Sequence, residues 1–189
     1  MNRITAFLSR IKTLLLRSNK NIVIMGGAKV YYKSRVCAYK GSIRVGENCL
    51  IGRSDRNYHA SMPFFTTLFT DREEAVIQIG NNCRINGAYI HAQKSIKMGH
   101  NCVIASGVNI IDSNGHIVLS RNRTIGRDDA KPIEIGNNVW IGLNTTILKN
   151  TRIGDNCVIA AGSVVKGQFP DNVLIQGNPA IIVKKLELL

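Results

Sequence analysis

Acidic residues are missing from the first quarter of the chain. Ten Lys or Arg side chains occur up to Arg44, whereas the first carboxylate is Glu47. The formal net charge of the whole sequence is +13. Such a basic segment predicts an anionic neighbour: a membrane surface, the phosphates of a nucleotide or CoA, or nucleic acid. Nucleic acid is the weakest of these, because no recognition motif is present and few aromatic residues accompany the basic ones.

Long apolar runs and paired-cysteine patterns are missing too. No stretch of eighteen apolar residues occurs, so no transmembrane helix is predicted. Four of the five cysteines directly follow an asparagine, at 48–49, 82–83, 101–102 and 156–157. This recurrence favours small inward-facing fillers over disulfides or metal ligands. The odd number of cysteines and the lack of a recognisable signal peptide predict a reducing, cytoplasmic location.

The strongest pattern present is a six-residue period between Ile135 and Val165. An aliphatic residue recurs at 135, 141, 147, 153, 159 and 165, and a small or β-branched residue stands four places after each of the first five. This period fits neither an α-helix nor a simple strand alternation. It indicates a β-helix, in which three six-residue blocks complete one triangular coil. Glycine and asparagine cluster between the aliphatic residues, where corners need left-handed backbone.

The repeat, with NVWIG at 138–142, AAGSVV at 160–165 and GNPA at 177–180, resembles the hexapeptide-repeat acyltransferases. Within that family it is most similar to the galactoside, maltose and sugar O-acetyltransferases. The resemblance implies an all-β fold, a left-handed parallel β-helix, and a homotrimer with active sites between subunits. It also implies acetyl-CoA as acyl donor and no metal. The left hand is taken from the family, because the general crossover rule favours the right hand.

Residues 1–20 are expected to form an amphipathic N-terminal helix, ahead of a single β-helix domain over residues 21–189. Apolar residues from Ile4 to Leu15 follow helical spacing, and Arg3, Arg10 and Arg17 recur on a polar side. Two interpretations stay open. We favour a helix that caps the open end of the β-helix or packs at a trimer contact. The alternative is a membrane-surface anchor that holds a cytoplasmic enzyme at the inner membrane face.

Two loop excursions interrupt the repeat. The first, residues 53–78, is expected to wall the acceptor pocket, with His59 as a wall or structural residue. The spacing from Ile85 to Met98 is one residue more than two blocks, which predicts a bulged corner near residues 86–91. By resemblance, Asn86 contacts acceptor hydroxyls there. His91 is either a pocket residue or a polar residue facing a rung.

The second excursion, which ends at Pro132, carries His116. By resemblance, His116 occupies the position of a GHP-type histidine, with Ile117 in place of the proline. A neutral imidazole suits removal of the proton from a sugar hydroxyl, so His116 is the predicted general base. Asp112 is predicted to orient the imidazole, to bind an acceptor hydroxyl, or to form the DSNG turn. No acyl-enzyme nucleophile is indicated, so we expect direct transfer.

The resemblance places the acetyl-CoA contacts at the AAGS corner. It maps them onto Gly142, Ala161 and Lys166, with Trp140 beside the channel. The backbone N–H around Leu143 is the candidate donor to the oxyanion.

The predicted reaction is therefore transfer of acetyl from acetyl-CoA to a hydroxyl of a sugar, in a polysaccharide or glycolipid precursor. The runner-up is an amino-sugar N-acetyltransferase, and a non-catalytic β-helix scaffold is the alternative from another class. A metal hydratase of the γ-carbonic-anhydrase kind is disfavoured, because no two of the four histidines are about five residues apart.

Overall fold

A computed structural model describes residues 3–53 and 58–187. One helix, α1 (Arg3–Arg17), precedes a series of short strands that form three sheets. Each sheet takes every third strand of the coiled region, as expected for the three faces of a triangular prism. Within each coil, the strands follow one another in the order sheet A, sheet B, sheet C.

The strand bounds are short and regular. Sheet A contains β1 (Ile22–Ile24), β4 (Ser42–Val45), β7 (Val76–Ile79), β10 (Ser95–Met98), β13 (Ile133–Ile135), β16 (Arg152–Ile153) and β19 (Gln168–Phe169). Sheet B contains β2 (Lys29–Val30), β5 (Leu50–Ile51), β8 (Arg84–Ile85), β11 (Val103–Ile104), β14 (Trp140–Ile141), β17 (Val158–Ile159), β20 (Val173–Gly177) and β21 (Ala180–Lys185). Sheet C contains β3 (Arg35–Ala38), β6 (Thr67–Thr70), β9 (Tyr89–Ala92), β12 (Asn109–Ile111), β15 (Thr146–Leu148) and β18 (Val164–Val165).

Stacked aliphatic rows fill the inside of the prism. In sheet C, the register aligns Val36, Leu68, Ile90, Ile110, Ile147 and Val165. All six are buried and belong to one continuous hydrophobic core. Each rung therefore supplies a large apolar side chain inward and bonds through its backbone to the rungs on both sides. The six-residue period predicted these rows.

Side-chain ladders hold the corners. His100 Nδ1 accepts a hydrogen bond from Asn81 N at 2.9 Å, and Asn137 Oδ1 accepts one from His100 N at 2.9 Å. The ladder continues because Asp155 Oδ1 accepts from Asn137 N at 2.7 Å. His100 is thus a structural corner residue. The neighbouring asparagines from Asn48 to Asn172 take positive φ angles of 54° to 64°, as the corner clustering predicted.

The free thiols of Cys49, Cys83, Cys102 and Cys157 are buried in the core. Each lies within hydrogen-bonding distance of a carbonyl oxygen on a neighbouring coil, for example Cys49 Sγ at 3.0 Å from Gly80 O. A hydrogen bond with Cys83 and burial raise the pKa of the Cys49 thiol. The prediction of small inward fillers is confirmed for these four cysteines.

Two sequence-based expectations about corner lengths were wrong. The first excursion is shorter than residues 53–78, because β6 and β7 already belong to the prism. The added length between Ile85 and Met98 lies after β9 rather than near residues 86–91. Ile85 and Ile90 are consecutive inward residues only five apart, whereas Ile90 and Met98 are eight apart. The period alone could not show which corner held the additional residues.

Helix α1 lies against β1 and β2 through its buried residues Ser9, Thr13 and Leu16, whereas Arg3, Arg10 and Arg17 of the predicted polar side are exposed. Thr13 Oγ1 accepts a hydrogen bond from Val30 N at 3.0 Å, and Ser9 Oγ accepts one from Tyr32 N at 3.1 Å. Arg17 donates to the carbonyl oxygens of Ile24 and Met25. These bonds satisfy edge groups of the first coil that have no preceding coil to pair with. The apolar side of α1 consequently faces away from the prism.

The last strand closes the opposite end. β21 turns back and pairs antiparallel with β20. No helix within the described ranges is long and apolar enough to cross a membrane.

Candidate functional site

The loop between β12 and β13, residues 112–132, carries His116 on the surface. His116 Nδ1 lies 2.7 Å from the carbonyl oxygen of Arg123. A carbonyl oxygen can only accept, so Nδ1 carries the proton in this hydrogen bond. In a neutral ring the proton-free nitrogen is then Nε2, and the imidazole is exposed. The loop thus fixes one tautomer with a free basic nitrogen.

Asp112 anchors the start of this loop instead of pointing into a cleft. Its side chain has no exposed surface. Its carboxylate accepts hydrogen bonds from the backbone N–H groups of Gln93, Lys94 and Ser95 at 2.7, 2.7 and 2.8 Å. Burial raises the pKa of Asp112, and the three N–H donors offset part of that rise. Asp112 is thus a structural residue, but through residues 93–95 of the preceding coil rather than through the predicted DSNG turn. Contact with an acceptor is disfavoured because the carboxylate is covered.

A second carboxylate, Asp128, folds the His116 loop back on itself. It accepts hydrogen bonds from Ser113 Oγ at 2.5 Å and from Asn114 N at 2.7 Å, just before His116. Lys149 Nζ on the next coil lies 2.7 Å from Asp128 Oδ2. Burial alone raises the pKa of Asp128, but Lys149 and Ser113 outweigh it and hold that pKa far below its ordinary value. Sequence reasoning missed this residue, although adjacent acids at 128–129 in an otherwise basic loop were a usable signal.

A third carboxylate, Asp71, joins the loop to sheet C. Arg127 Nη1 lies 2.9 Å from Asp71 Oδ2, and His91 Nε2 lies 3.0 Å from Asp71 Oδ1. Burial raises the pKa of Asp71, but hydrogen bonds from His91 and Arg127 leave that pKa below its ordinary value. His91 therefore sits in an ion-paired cluster, stacked beside Phe69 with ring centroids 4.9 Å apart.

The corner between sheets B and C carries the predicted acyl-donor residues. Gly142 N donates to Ile159 O and Asn144 N donates to Ser106 O, whereas the Leu143 N–H between them has no acceptor among the described residues. Ala161 repeats the pattern one coil later, between Ala160 N and Gly162 N, which donate to Ile175 O and Leu143 O. Two stacked N–H groups are thus left available at this corner. A Cβ on Gly142 would lie 2.6 Å from Ala161 N, so the coils approach each other closely here.

The first excursion packs over the neighbouring part of the same corner. Ser106 Oγ donates to Ser61 O, and a Cβ on Gly87 would lie 2.7 Å from Met62. Tyr58 and His59 follow residues 54–57, which lie outside the described part of the chain. His59 is exposed and contacts the Tyr58 ring. The excursion therefore covers Ser106 and Gly87, which lie at the same corner as Leu143 but on earlier coils.

The remaining predicted residues lie on separate surfaces. Asn86 is half-buried and lines a groove of about 740 Å³ between α1 and sheet B. Trp140 is exposed on the outer face of sheet B, and Lys166 is exposed just after β18. His116 does not line the groove of Asn86.

Sheet C separates His116 from the acyl-donor corner within one chain. The strands of sheet C begin after the corner that holds Leu143, and the His116 loop leaves from their other end. Among residues 3–53 and 58–187, no three His, Cys, Asp or Glu side chains are grouped as ligands for a metal ion.

Two family models match the repeat. Residues 132–167 match the bacterial transferase hexapeptide of six repeats, and residues 76–111 match the hexapeptide repeat of succinyl-transferase. Both segments lie in the stacked coils on either side of the His116 loop.

Two relatives agree with these matches. A Saccharomyces cerevisiae protein named as an acetyltransferase is 36% identical over 138 residues, which cover 72% of this chain and 67% of that protein. The galactoside O-acetyltransferase of Escherichia coli is 38% identical over 111 residues, 58% of this chain and 54% of the enzyme. The chain thus spans about half to two thirds of the length of these relatives.

The structure of AntD, an N-acyltransferase from Bacillus cereus in complex with dTDP and coenzyme A, superimposes with a TM-score of 0.67. The two sequences are 17% identical, and the superposition covers 93% of this chain and 89% of the AntD chain. This similarity is one of fold. The predicted left-handed parallel β-helix is thereby confirmed, and the chain belongs to the hexapeptide-repeat acetyltransferase family.

Proposed function

We propose that this protein transfers an acetyl group from acetyl-CoA to a hydroxyl group of a sugar, in a precursor of a polysaccharide or glycolipid. The observation that carries the proposal is the hydrogen bond from His116 Nδ1 to Arg123 O, which leaves Nε2 as a base on an exposed loop. A sugar hydroxyl is a poor nucleophile until its proton is removed during attack. An imidazole with one fixed proton and one free lone pair meets that need.

The proposed transfer is direct. His116 Nε2 takes the proton as the hydroxyl oxygen attacks the thioester carbonyl carbon and forms a tetrahedral intermediate. The C–S bond then breaks, and the proton on Nε2 passes to the departing CoA sulfur. No side chain carries the acetyl group, because the buried thiols of Cys49, Cys83, Cys102 and Cys157 are held inside the prism.

The acyl donor is assigned to the corner between sheets B and C. The free N–H groups of Leu143 and Ala161 offer donors to carbonyl oxygens of the pantetheine arm or to the oxyanion. Gly142 keeps the corner flat, since a side chain there would meet the next coil. Trp140 is assigned to the border of the same site, where its exposed ring suits the adenine end of CoA. Lys166 follows β18 at the other end of sheet C, so its ammonium group is assigned to the phosphate end of a CoA bound at the corner of the neighbouring subunit.

A homotrimer joins the two halves of the site. Because sheet C separates His116 from Leu143 in one chain, the proposed site combines the His116 loop of one subunit with the corner of the next. The loop tip supports this arrangement, since Leu119 is 94% exposed and Val118 and Ile125 are also exposed. Apolar side chains this exposed are typical of an interface. Asn86 and residues 58–66 are assigned to the acceptor side of that joint pocket.

The reaction is assigned to the cytoplasm, a reducing compartment in which five free thiols persist. Transfer to an amino sugar is the second candidate. The fold likeness to an N-acyltransferase favours it, and the same base and donor corner would serve an amine. A scaffold without catalysis would not need the fixed tautomer at His116.

The test is an assay of free CoA thiol with acetyl-CoA and a panel of hydroxyl and amino sugars. Thiol release with hydroxyl sugars, and a product cleaved by mild base as an ester, is expected. A base-stable amide product would move the assignment to the second candidate. Absence of CoA binding in calorimetry would remove both enzymatic assignments and leave the scaffold.

A further inference from the structure

The exposed side of α1 is apolar although the helix is attached to the protein. Six residues form this surface, called here the outer face: Ile4, Phe7, Leu8, Ile11, Leu14 and Leu15. Their side chains are 38% to 65% exposed. Helical spacing places them on one stripe, opposite the Ser9 and Thr13 side chains that bond to the first coil. The orientation is therefore fixed by polar contacts, and the apolar stripe has to face outward.

Cations border the outer face on both sides. At 100° per residue, Arg3, Arg10 and Arg17 line one border and Lys12 lines the other. The groove of about 740 Å³ between α1 and sheet B adds Lys29, Arg53 and Arg84. No acidic residue occurs before Glu47. At this end of the prism, the outer face of α1 is thus apolar and the surfaces on both sides of it are positively charged.

We propose that the outer face of α1 binds the surface of an anionic lipid bilayer. A stripe of large apolar side chains flanked by Lys and Arg is the composition that lies in the boundary between headgroups and acyl chains. The phosphate groups of the lipids supply the negative charge that the first forty-six residues lack. The groove beside α1 gives those phosphates a positive surface at the level of the headgroups.

A second copy of the chain is a poorer occupant of the outer face. Two helices that meet through it would bring Arg3, Arg10, Lys12 and Arg17 of both copies together without a carboxylate between them. Like charges held close destabilise such a contact. An anionic bilayer meets the apolar and the charge requirement at once. This inference goes beyond the acetyl transfer and does not depend on which acceptor is used.

Vesicle co-sedimentation of the full chain tests the proposal. Binding is expected to vesicles that contain phosphatidylglycerol, with little binding to vesicles of phosphatidylcholine alone and less binding at high salt. The double variant Phe7→Ser with Leu15→Ser should lower binding about tenfold or more, because two large apolar side chains leave the lipid boundary. The control is Ile181→Ser on β21, which removes an equally exposed apolar side chain from another surface and should bind as the parent does.

Three results would overturn the inference. One is a parent protein that does not sediment with anionic vesicles. Another is a Phe7→Ser, Leu15→Ser variant that binds them as tightly as the parent, with circular dichroism showing both to be folded. The third is a smaller assembly for that variant in light scattering without lipid, which would assign the outer face to a second copy.

Discussion

Lys149 Nζ and Asp128 Oδ2 lie 2.7 Å apart, in a pair that links the coil after β15 to the loop that carries His116. The Asp128 side chain is only 5% exposed and that of Lys149 is 21% exposed. The same carboxylate also accepts hydrogen bonds from Ser113 and Asn114. One side chain therefore fixes both the fold of the loop and its position on the prism, although it is distant in sequence from its cation.

Replacement of Asp128 by asparagine should loosen the His116 loop. The amide keeps the size of the carboxylate but loses the charge that holds Lys149 and the N–H groups of the turn. We expect a loss of about 1 to 3 kcal/mol in the free energy of unfolding, measured by urea titration. We also expect a larger fall in kcat than in stability-matched variants. Lys131→Met, which removes a cation of the same loop from an exposed pair, is the control and should change both little.

Acid should weaken the same attachment. The pKa of Asp128 is lowered in the folded protein, and that of Asp71 is lowered too, so both carboxylates bind protons more readily when unfolded. Their stabilising contribution is complete above an unfolded pKa of about 4 and is lost as the pH falls toward the folded values. The urea midpoint should therefore drop below about pH 4. Asp128→Asn should show a shallower drop, and an identical pH dependence in parent and variant would contradict the assignment.

His116→Ala should abolish most acetyl transfer without unfolding the protein. General bases contribute about 10² to 10⁴-fold in rate, and the exposed ring makes no core contact. Lys97→Ala is the control, because Lys97 is exposed on β10 and lies outside both excursions and the acyl-donor corner. Thiol release and the Kd for CoA should be measured for both. Full activity of His116→Ala would exclude the proposed base.

Gly142→Ala should disturb the acyl-donor corner. A Cβ there would meet Ala161 N at 2.6 Å and Ile159 O at 2.9 Å, so the coils must move apart. We expect a loss of roughly 1 to 3 kcal/mol in stability and weaker binding of CoA in calorimetry. Gly26→Ala places the same methyl group in open space and should be close to neutral. Equal effects of the two substitutions would mean that close packing does not set the response.

Asp112→Ala tests the anchor of the loop. It leaves the N–H groups of Gln93, Lys94 and Ser95 without their acceptor inside the protein. The expected loss in the free energy of unfolding is about 3 to 5 kcal/mol. Asp112→Asn retains one acceptor oxygen and should lose less, so the pair of variants separates lost hydrogen bonds from lost charge. A neutral Asp112→Ala would argue against a structural role.

The prism could be predicted because each rung needs the same kinds of residue: an aliphatic side chain that points inward and a corner residue that tolerates left-handed backbone. An aliphatic residue every six positions and asparagine at each corner are read directly from the chain, and Ile141 and Ile147 occupy the predicted inward positions. Corner lengths were not predictable in the same way. Leu68 is an inward residue of a regular rung, but the long insertion before it hides the period.

The orientation of α1 and the attachment of the His116 loop could not be predicted from the sequence. Helical spacing identified an apolar side of α1 but not the direction in which it faces. That direction is set by Val30 N–H at the edge of the first coil, which donates a hydrogen bond to Thr13 and so turns the Thr13 side of the helix toward the prism. The partners Asp128 and Lys149 belong to separate elements, so no local pattern joins them. The role of His116 was predicted from resemblance, whereas its bond to Arg123 O was visible only in the folded loop.

The reversed direction of β21 has a consequence for how the molecule behaves at high concentration. Stacked parallel rungs are a template that another molecule could extend, and unlimited end-to-end addition would give filaments. At one end an antiparallel strand presents the wrong polarity for a further rung on sheet B, and at the other a helix occupies the groups that would recruit one. The number of rungs is thus set within a single polypeptide.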